Sequence, residues 1–158
     1  MRRTIFITTA LAALALVPLA GASELTREEY VARAEPICKR NTEANRRIFA
    51  GAKEQVKSGQ LKAASTHFTR ATTAFNKTIS QLKAVPEPPA DEAKLGKWIG
   101  YLEAESSLLA KIGKALAQDD KGKAQTFSVK LNRNSNLANN TVLAFGFTYC
   151  KIDPARFG

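Results

Sequence analysis

Two cysteines, Cys38 and Cys150, constrain this chain more than any other pair of residues. The chain has no others, so one intramolecular pairing exists, and it would close a loop of more than 100 residues. In an oxidising compartment that bridge is the expected state, with two free thiols or an intermolecular bridge as the alternatives. The sequence holds no Cys-x-x-Cys, so nothing supports a thioredoxin-type redox role.

The N-terminus points to such a compartment. Arg2 and Arg3 precede an apolar run from Ile5 to Leu19, and Ala20-Gly21-Ala22 fits a small-residue cleavage site. The expectation is a signal peptide over 1–22, cleaved after Ala22, on a secreted or extracytoplasmic protein. An uncleaved anchor is the alternative, because Ile5 to Ala22 is only just long enough to span a bilayer. No cysteine stands at the cleavage site, so a lipoprotein is not expected. The arginine pair leaves twin-arginine export open beside general secretion.

Taking 22 residues from 158 leaves 136, one ordinary domain over 23–158 that can bury a continuous core. The whole chain carries +10, and residues 1–22 hold two basic and no acidic residues, so the remainder carries +8. That balance favours anionic neighbours such as lipid heads or envelope polymers. The basic residues are scattered over every predicted helix, which also suits a plain solvated surface.

Helical spacing of apolar residues predicts four helices. The first spans about 26–57, opened by a Thr26/Glu29 capping box and closed at Ser58-Gly59. Pro36 should kink it or mark a fresh start. The second spans about 60–84, with Leu61, Ala64, Phe68, Ala71, Phe75, Ile79 and Leu82 on one face. Pro86, Pro88 and Pro89 make 85–90 a stiff linker, and Asp91 is placed to cap the third helix, about 91–118. That helix buries Leu95, Trp98, Ile99, Leu102, Ser106, Leu109, Ile112 and Leu116. The fourth spans about 121–151 on Ala124, Phe127, Leu131, Ala138, Val142, Phe145 and Tyr149, with five asparagines weakening it.

Matched lengths and short connections favour an all-α, antiparallel up-down-up-down four-helix bundle. In it the start of helix 1 and the end of helix 4 share one end, so a Cys38–Cys150 bridge between those helices follows from the topology. Seven of the eleven aromatics beyond residue 22 fall at that end, among them Trp98, Tyr101, Phe145 and Tyr149. Counting away from the bridge in both directions puts Asn41 near Gly146, where a missing side chain would let helices 1 and 4 approach. Asn41 and Asn45 lie on the apolar face of helix 1 and need hydrogen-bond partners, such as Asn139 or Thr148. They form either a polar layer that fixes register or a small polar pocket.

Little else carries chemistry. His67 is the sole histidine, placed at the edge of a stripe as a surface residue, and the sole methionine is Met1. There is no Glu-x-x-His, no Cys-x-x-Cys-His and no glycine-rich phosphate loop, so no cofactor or metal is expected. Glu103 and Glu105 are too close in sequence to face the same way on a helix, which rules them out as paired carboxylates. Glu28, Glu29 and Glu35 read as first-turn and surface charge. No aromatic platform or helix-turn-helix supports nucleic-acid binding.

The order of a signal peptide, Ile37-Cys38, Pro88-Pro89, Trp98 and Gly146-x-x-x-Cys150 resembles small exported four-helix proteins of unknown function from high-GC Gram-positive bacteria. The resemblance implies the bundle and its export but no activity. Many such relatives are lipoproteins, and this chain departs from them in lacking the lipid-accepting cysteine. The expected function is therefore a non-enzymatic bundle that binds a ligand or protein partner in the envelope or outside the cell. The candidate site is Asn41, Trp98, Tyr101, Phe145 and Tyr149. The alternative is a basic surface that associates with anionic polymers or lipid heads.

Overall fold

The structure, a computed structural model, describes residues 25–153. The expected leader at 1–22 lies outside the described residues, as does Phe157, counted among the seven aromatics expected at the disulfide-tied end. What is described is helical, with no strand: α1 (Arg27–Ile48), α2 (Ala52–Lys57), α3 (Leu61–Lys83), α4 (Glu92–Ala117) and α5 (Lys121–Thr141). Short 3-10 turns stand at Pro89–Asp91 and Leu143–Phe145. α1 and α2 pack on α3, α3 on α4, and α4 on α5, while the chain after α5 returns to α1.

The capping box forms as expected. Thr26 Oγ1 accepts from the Glu29 amide, and Glu29 Oε2 accepts from the Thr26 amide at 2.8 Å. Pro36 sits within α1 and does not end it. Its ring and the Ala32 carbonyl it leaves without an amide are both on the exposed side, where water can serve that carbonyl.

The first predicted helix is broken. α1 stops at Ile48 and α2 begins at Ala52, because Gly51 takes the left-handed region at φ 81°. The turn drives Phe49 against Phe68, ring centres 5.1 Å apart, and buries Ala52. His67 holds the break closed. One ring nitrogen bonds to the Ile48 carbonyl and the other lies 3.0 Å from Gln55 Oε1, so the half-buried ring joins the end of α1 to α2.

α3 and α4 follow their stripes, and every apolar position named for them is buried. Gly113 sets their closest approach: a Cβ there would lie 3.0 Å from that of Phe68. Asp91 precedes α4, but its side chain makes no cap bond. It takes Arg27 Nε and Nη2 at 2.7 Å each, which ties the linker to the start of α1 and holds the Asp91 carboxyl below its usual range.

The fourth predicted helix is too long. α5 ends at Thr141, and Cys150 lies on an irregular tail. Gly146, at φ 64°, turns this tail, and a Cβ built on it would meet nothing within 4 Å. It therefore does not bring two helices together. The tail runs in the same direction as α1. Phe145 sits by Arg27 and Tyr30, the Glu35 carboxylate receives amides 148–150, and Cys150 bonds to Cys38. The expected pairing of Asn41 with Gly146 came from an antiparallel count; the chain reverses before the bridge, so the count fails. Asn139 secures the reversal, donating to the Ile152 carbonyl at 2.7 Å and accepting from its amide at 2.8 Å. That two-bond pairing holds the returning chain against α5 in place of further helix.

Candidate functional site

The end tied by the disulfide is built in two storeys. The first is an aromatic layer. Trp98 stacks on Phe147 at 5.4 Å, Phe147 on Phe145 at 5.4 Å, and Tyr30 meets Phe145 edge-on at 6.2 Å. All four rings are buried, so Trp98 and Phe145 are core residues of this end. Burial pushes the Tyr30 phenol up to about 12, with the Glu87 charge adding to it. Tyr101 stands apart, half-buried, with its carbonyl accepting from Asn134 Nδ2 at 2.9 Å.

The second storey is a cavity of about 40 Å³ between α1, α3, α4 and the tail. α1 supplies Cys38, Asn41, Thr42 and Asn45. α3 supplies Phe75, Thr78 and Leu82, α4 supplies Trp98, Leu102 and Glu105, and the tail supplies Tyr149 to Asp153. Three of the five expected site residues thus line one cavity: Asn41, Trp98 and Tyr149. Phe145 lies in the layer beside it, and Tyr101 is not part of the lining. Tyr149 stands on the outer wall, 37% exposed, with the Lys39 ammonium 5.5 Å from its ring centre.

The lining is polar where a core is normally apolar. Asn41 Oδ1, Asn45 Oδ1 and Trp98 Nε1 are buried and make no hydrogen bond, although each such group costs about 1–3 kcal/mol to bury unpaired. The partners expected for the asparagines are engaged elsewhere. Asn139 holds Ile152, and the Thr148 amide donates to Glu35. Asn41 and Asn45, one turn apart on α1, present their amides to the same space.

Glu105 is the residue that sequence reasoning set aside. It is 1% exposed, and burial pushes its carboxyl up to about 8, against opposing hydrogen bonds from Ser135 and Asn134. Ser135 Oγ lies 3.2 Å from Glu105 Oε2 and 3.0 Å from the Leu131 carbonyl. The one hydroxyl hydrogen is shared between the carboxyl and the Leu131 carbonyl, so Ser135 only partly offsets the cost of burying the Glu105 charge. The signal was present in the spacing: Glu105 falls three residues after Leu102 and four before Leu109, on the stripe itself. Glu103, by contrast, is exposed and pairs with Lys83 at 3.0 Å. The two carboxylates do face different ways, and the buried one is the unusual one.

Glu35 was also more than surface charge. Its carboxylate accepts from the Thr148 amide at 2.8 Å, from Tyr149 at 3.0 Å and from Cys150 at 3.3 Å. Three successive amides on one carboxylate hold the outer wall of the cavity. Glu35→Ala is expected to cost about 1–2 kcal/mol. Hydrogen exchange at those three amides should accelerate while the α3 and α4 amides stay protected, and unchanged exchange at 148–150 would show that the wall does not depend on Glu35.

Among the described residues no three His, Cys, Asp or Glu side chains gather as a metal site, and no helix is long and apolar enough to cross a membrane. No protein-family model matches the chain, and neither curated proteins nor solved structures give a significant match.

Proposed function

We propose that this chain is an exported, non-enzymatic helical protein that binds a small polar ligand at its disulfide-tied end. In this reading α1 with α2 forms one arm of an up-down-up-down four-helix bundle, and the Cys38–Cys150 bridge closes the bundle through the tail. The observation that carries the proposal is the set of buried, unpartnered polar atoms around one cavity: Asn41 Oδ1, Asn45 Oδ1 and Trp98 Nε1 beside Glu105. A core that needed only stability would bury apolar groups there, because unpaired polar atoms oppose folding. A rigid site beside stacked rings, with few but convergent polar groups, has the character of a small-molecule pocket. Export fits the disulfide and the apolar run before Ala22.

Native mass spectrometry of the secreted protein tests this reading. The expected result is a chain lacking residues 1–22, two hydrogens short for the disulfide, carrying a small adduct that leaves on unfolding. A bare chain from every gentle preparation would count against a ligand.

A second reading, association with anionic envelope polymers or lipid heads, is favoured by the placement of charge. α3 and α5 contain lysine and arginine but no aspartate or glutamate, and Lys111, Lys130 and Arg133 border one open groove. Retention on anionic vesicles that falls steeply with salt is the expected result.

A further inference from the structure

We propose that the cavity takes a small primary ammonium group, held by the Glu105 carboxylate and the side-chain oxygens of Asn41 and Asn45. This deepens the ligand-binding reading and rests on it. A cavity of about 40 Å³ has room for roughly three or four water-sized atoms, which excludes sugars, nucleotides and peptides as whole occupants. The unpartnered atoms then choose the chemistry. Two unpartnered amide oxygens are acceptors, and the Glu105 carboxyl, bonded to Ser135 and Asn134 on its far side, lines the same cavity; together they ask for a compact group with several N–H donors. An ammonium group has three, and its charge is matched by the one acid in the lining that is buried. Trp98 Nε1 is the opposite case, a donor without an acceptor. An occupant with an oxygen one or two carbons from its nitrogen would satisfy it.

Binding would move a proton. The empty site holds Glu105 as the neutral acid, since burial pushes it up to about 8. A bound ammonium favours the carboxylate, so the ammonium enters and one proton leaves to solvent. No other charge near the carboxyl competes for this role. α1 presents Asn41, Thr42 and Asn45, α3 presents Phe75 and Thr78, and α5 presents Asn134 and Ser135. The tail alone brings charge, Lys151 and Asp153, of opposite sign and both exposed at the mouth.

Titration of the full secreted protein with methylammonium, ethanolamine, potassium and urea, followed by NMR at the Trp98 indole N–H and the Asn41 and Asn45 side-chain amides, tests the proposal. Saturable shifts with methylammonium are expected, with binding tighter by roughly 50-fold at pH 8 than at pH 6, as a site that must lose a proton near 8 requires. Ethanolamine should bind more tightly still and shift the indole signal most. Glu105→Gln, which keeps the shape of the neutral acid, should abolish methylammonium binding, and the pH dependence of the unaltered protein supplies the same test without a variant. Potassium binding as strong as methylammonium would overturn the ammonium assignment. So would binding independent of pH, or shifts with urea alone, although a site for a neutral ligand would then survive. No response to any probe, together with an adduct in native mass spectrometry, would sink this inference and spare the ligand reading.

Discussion

The Cys38→Ser, Cys150→Ser double variant is expected to lose about 4–5 kcal/mol of stability, the chain-entropy value for a closed loop of this length. The two cysteines are 112 residues apart, so the bridge restrains most of the unfolded chain. For a domain of this size the loss corresponds to a fall in Tm of roughly 10–20 °C. Urea unfolding with and without reductant checks it on the unaltered protein, and the reduced form should match the double variant. The secondary consequence is local. Cys150 belongs to the tail and not to α5, so α3, α4 and α5 should keep their helical signal while amides 146–153 lose protection. A loss below about 1 kcal/mol would mean that Glu35 and Asn139 already hold the tail in place.

Glu105→Gln is expected to abolish a pH dependence of stability. The folded carboxyl sits at about 8 against an ordinary 4.5, so between those values the native chain holds a proton that the unfolded chain has shed. The stability this contributes is complete below about pH 4.5 and is lost as pH rises through 8. The slope is up to about 1.4 kcal/mol per pH unit, roughly 5 kcal/mol in total before water and local relaxation reduce it. The glutamine variant should remove that slope, match the unaltered protein within about 1 kcal/mol near pH 5, and exceed it clearly at pH 9. Chemical unfolding at four pH values measures it. Asp91 acts in the opposite window: its carboxyl is held low by Arg27, so the stability it contributes is lost as pH falls into the acid range. The protein should therefore be most stable in weak acid. A saturating amine that occupies the cavity should flatten the alkaline loss.

Where apolar spacing alone decides burial, the fold was legible. Leu61 to Leu82 and Leu95 to Leu116 recur at helical intervals, and α3 and α4 begin and end within a residue or two of expectation. The bridge was legible by elimination. The break at Phe49–Gly51 was not, because Gly51 reads like any helical glycine until Phe68 and His67 are in place to reward the turn. The end of α5 was missed for a related reason. Val142, Phe145 and Tyr149 continue a helical interval, yet the choice between helix and tail is made by Asn139 and Glu35, whose bonds span 13 and about 113 residues. Asn41, Trp98 and Tyr149 reached the cavity for the reason given, their nearness to the bridge. Glu105 did not stand out, because a carboxylate on an apolar stripe looks like a helix-surface residue slightly out of register. Only the surrounding side chains reveal that it is buried, with the small cavity as its one polar opening.

The tail that runs beside α1 also sets a timetable. Residues 146–153 are made after all five helices, and their partners Glu35 and Cys38 were made more than 100 residues earlier. The helix pairs α3–α4 and α4–α5 join neighbours in sequence and can assemble at once, whereas this last contact must wait for the returning chain. Until the tail docks, one wall of the cavity does not exist and Glu105 lies closer to water. The tail contacts therefore close the longest loop among the described residues, and a chain cut short after α5 is expected to leave the cavity without its tail wall, which hydrogen exchange at the Trp98 indole and the Asn41 and Asn45 amides would show.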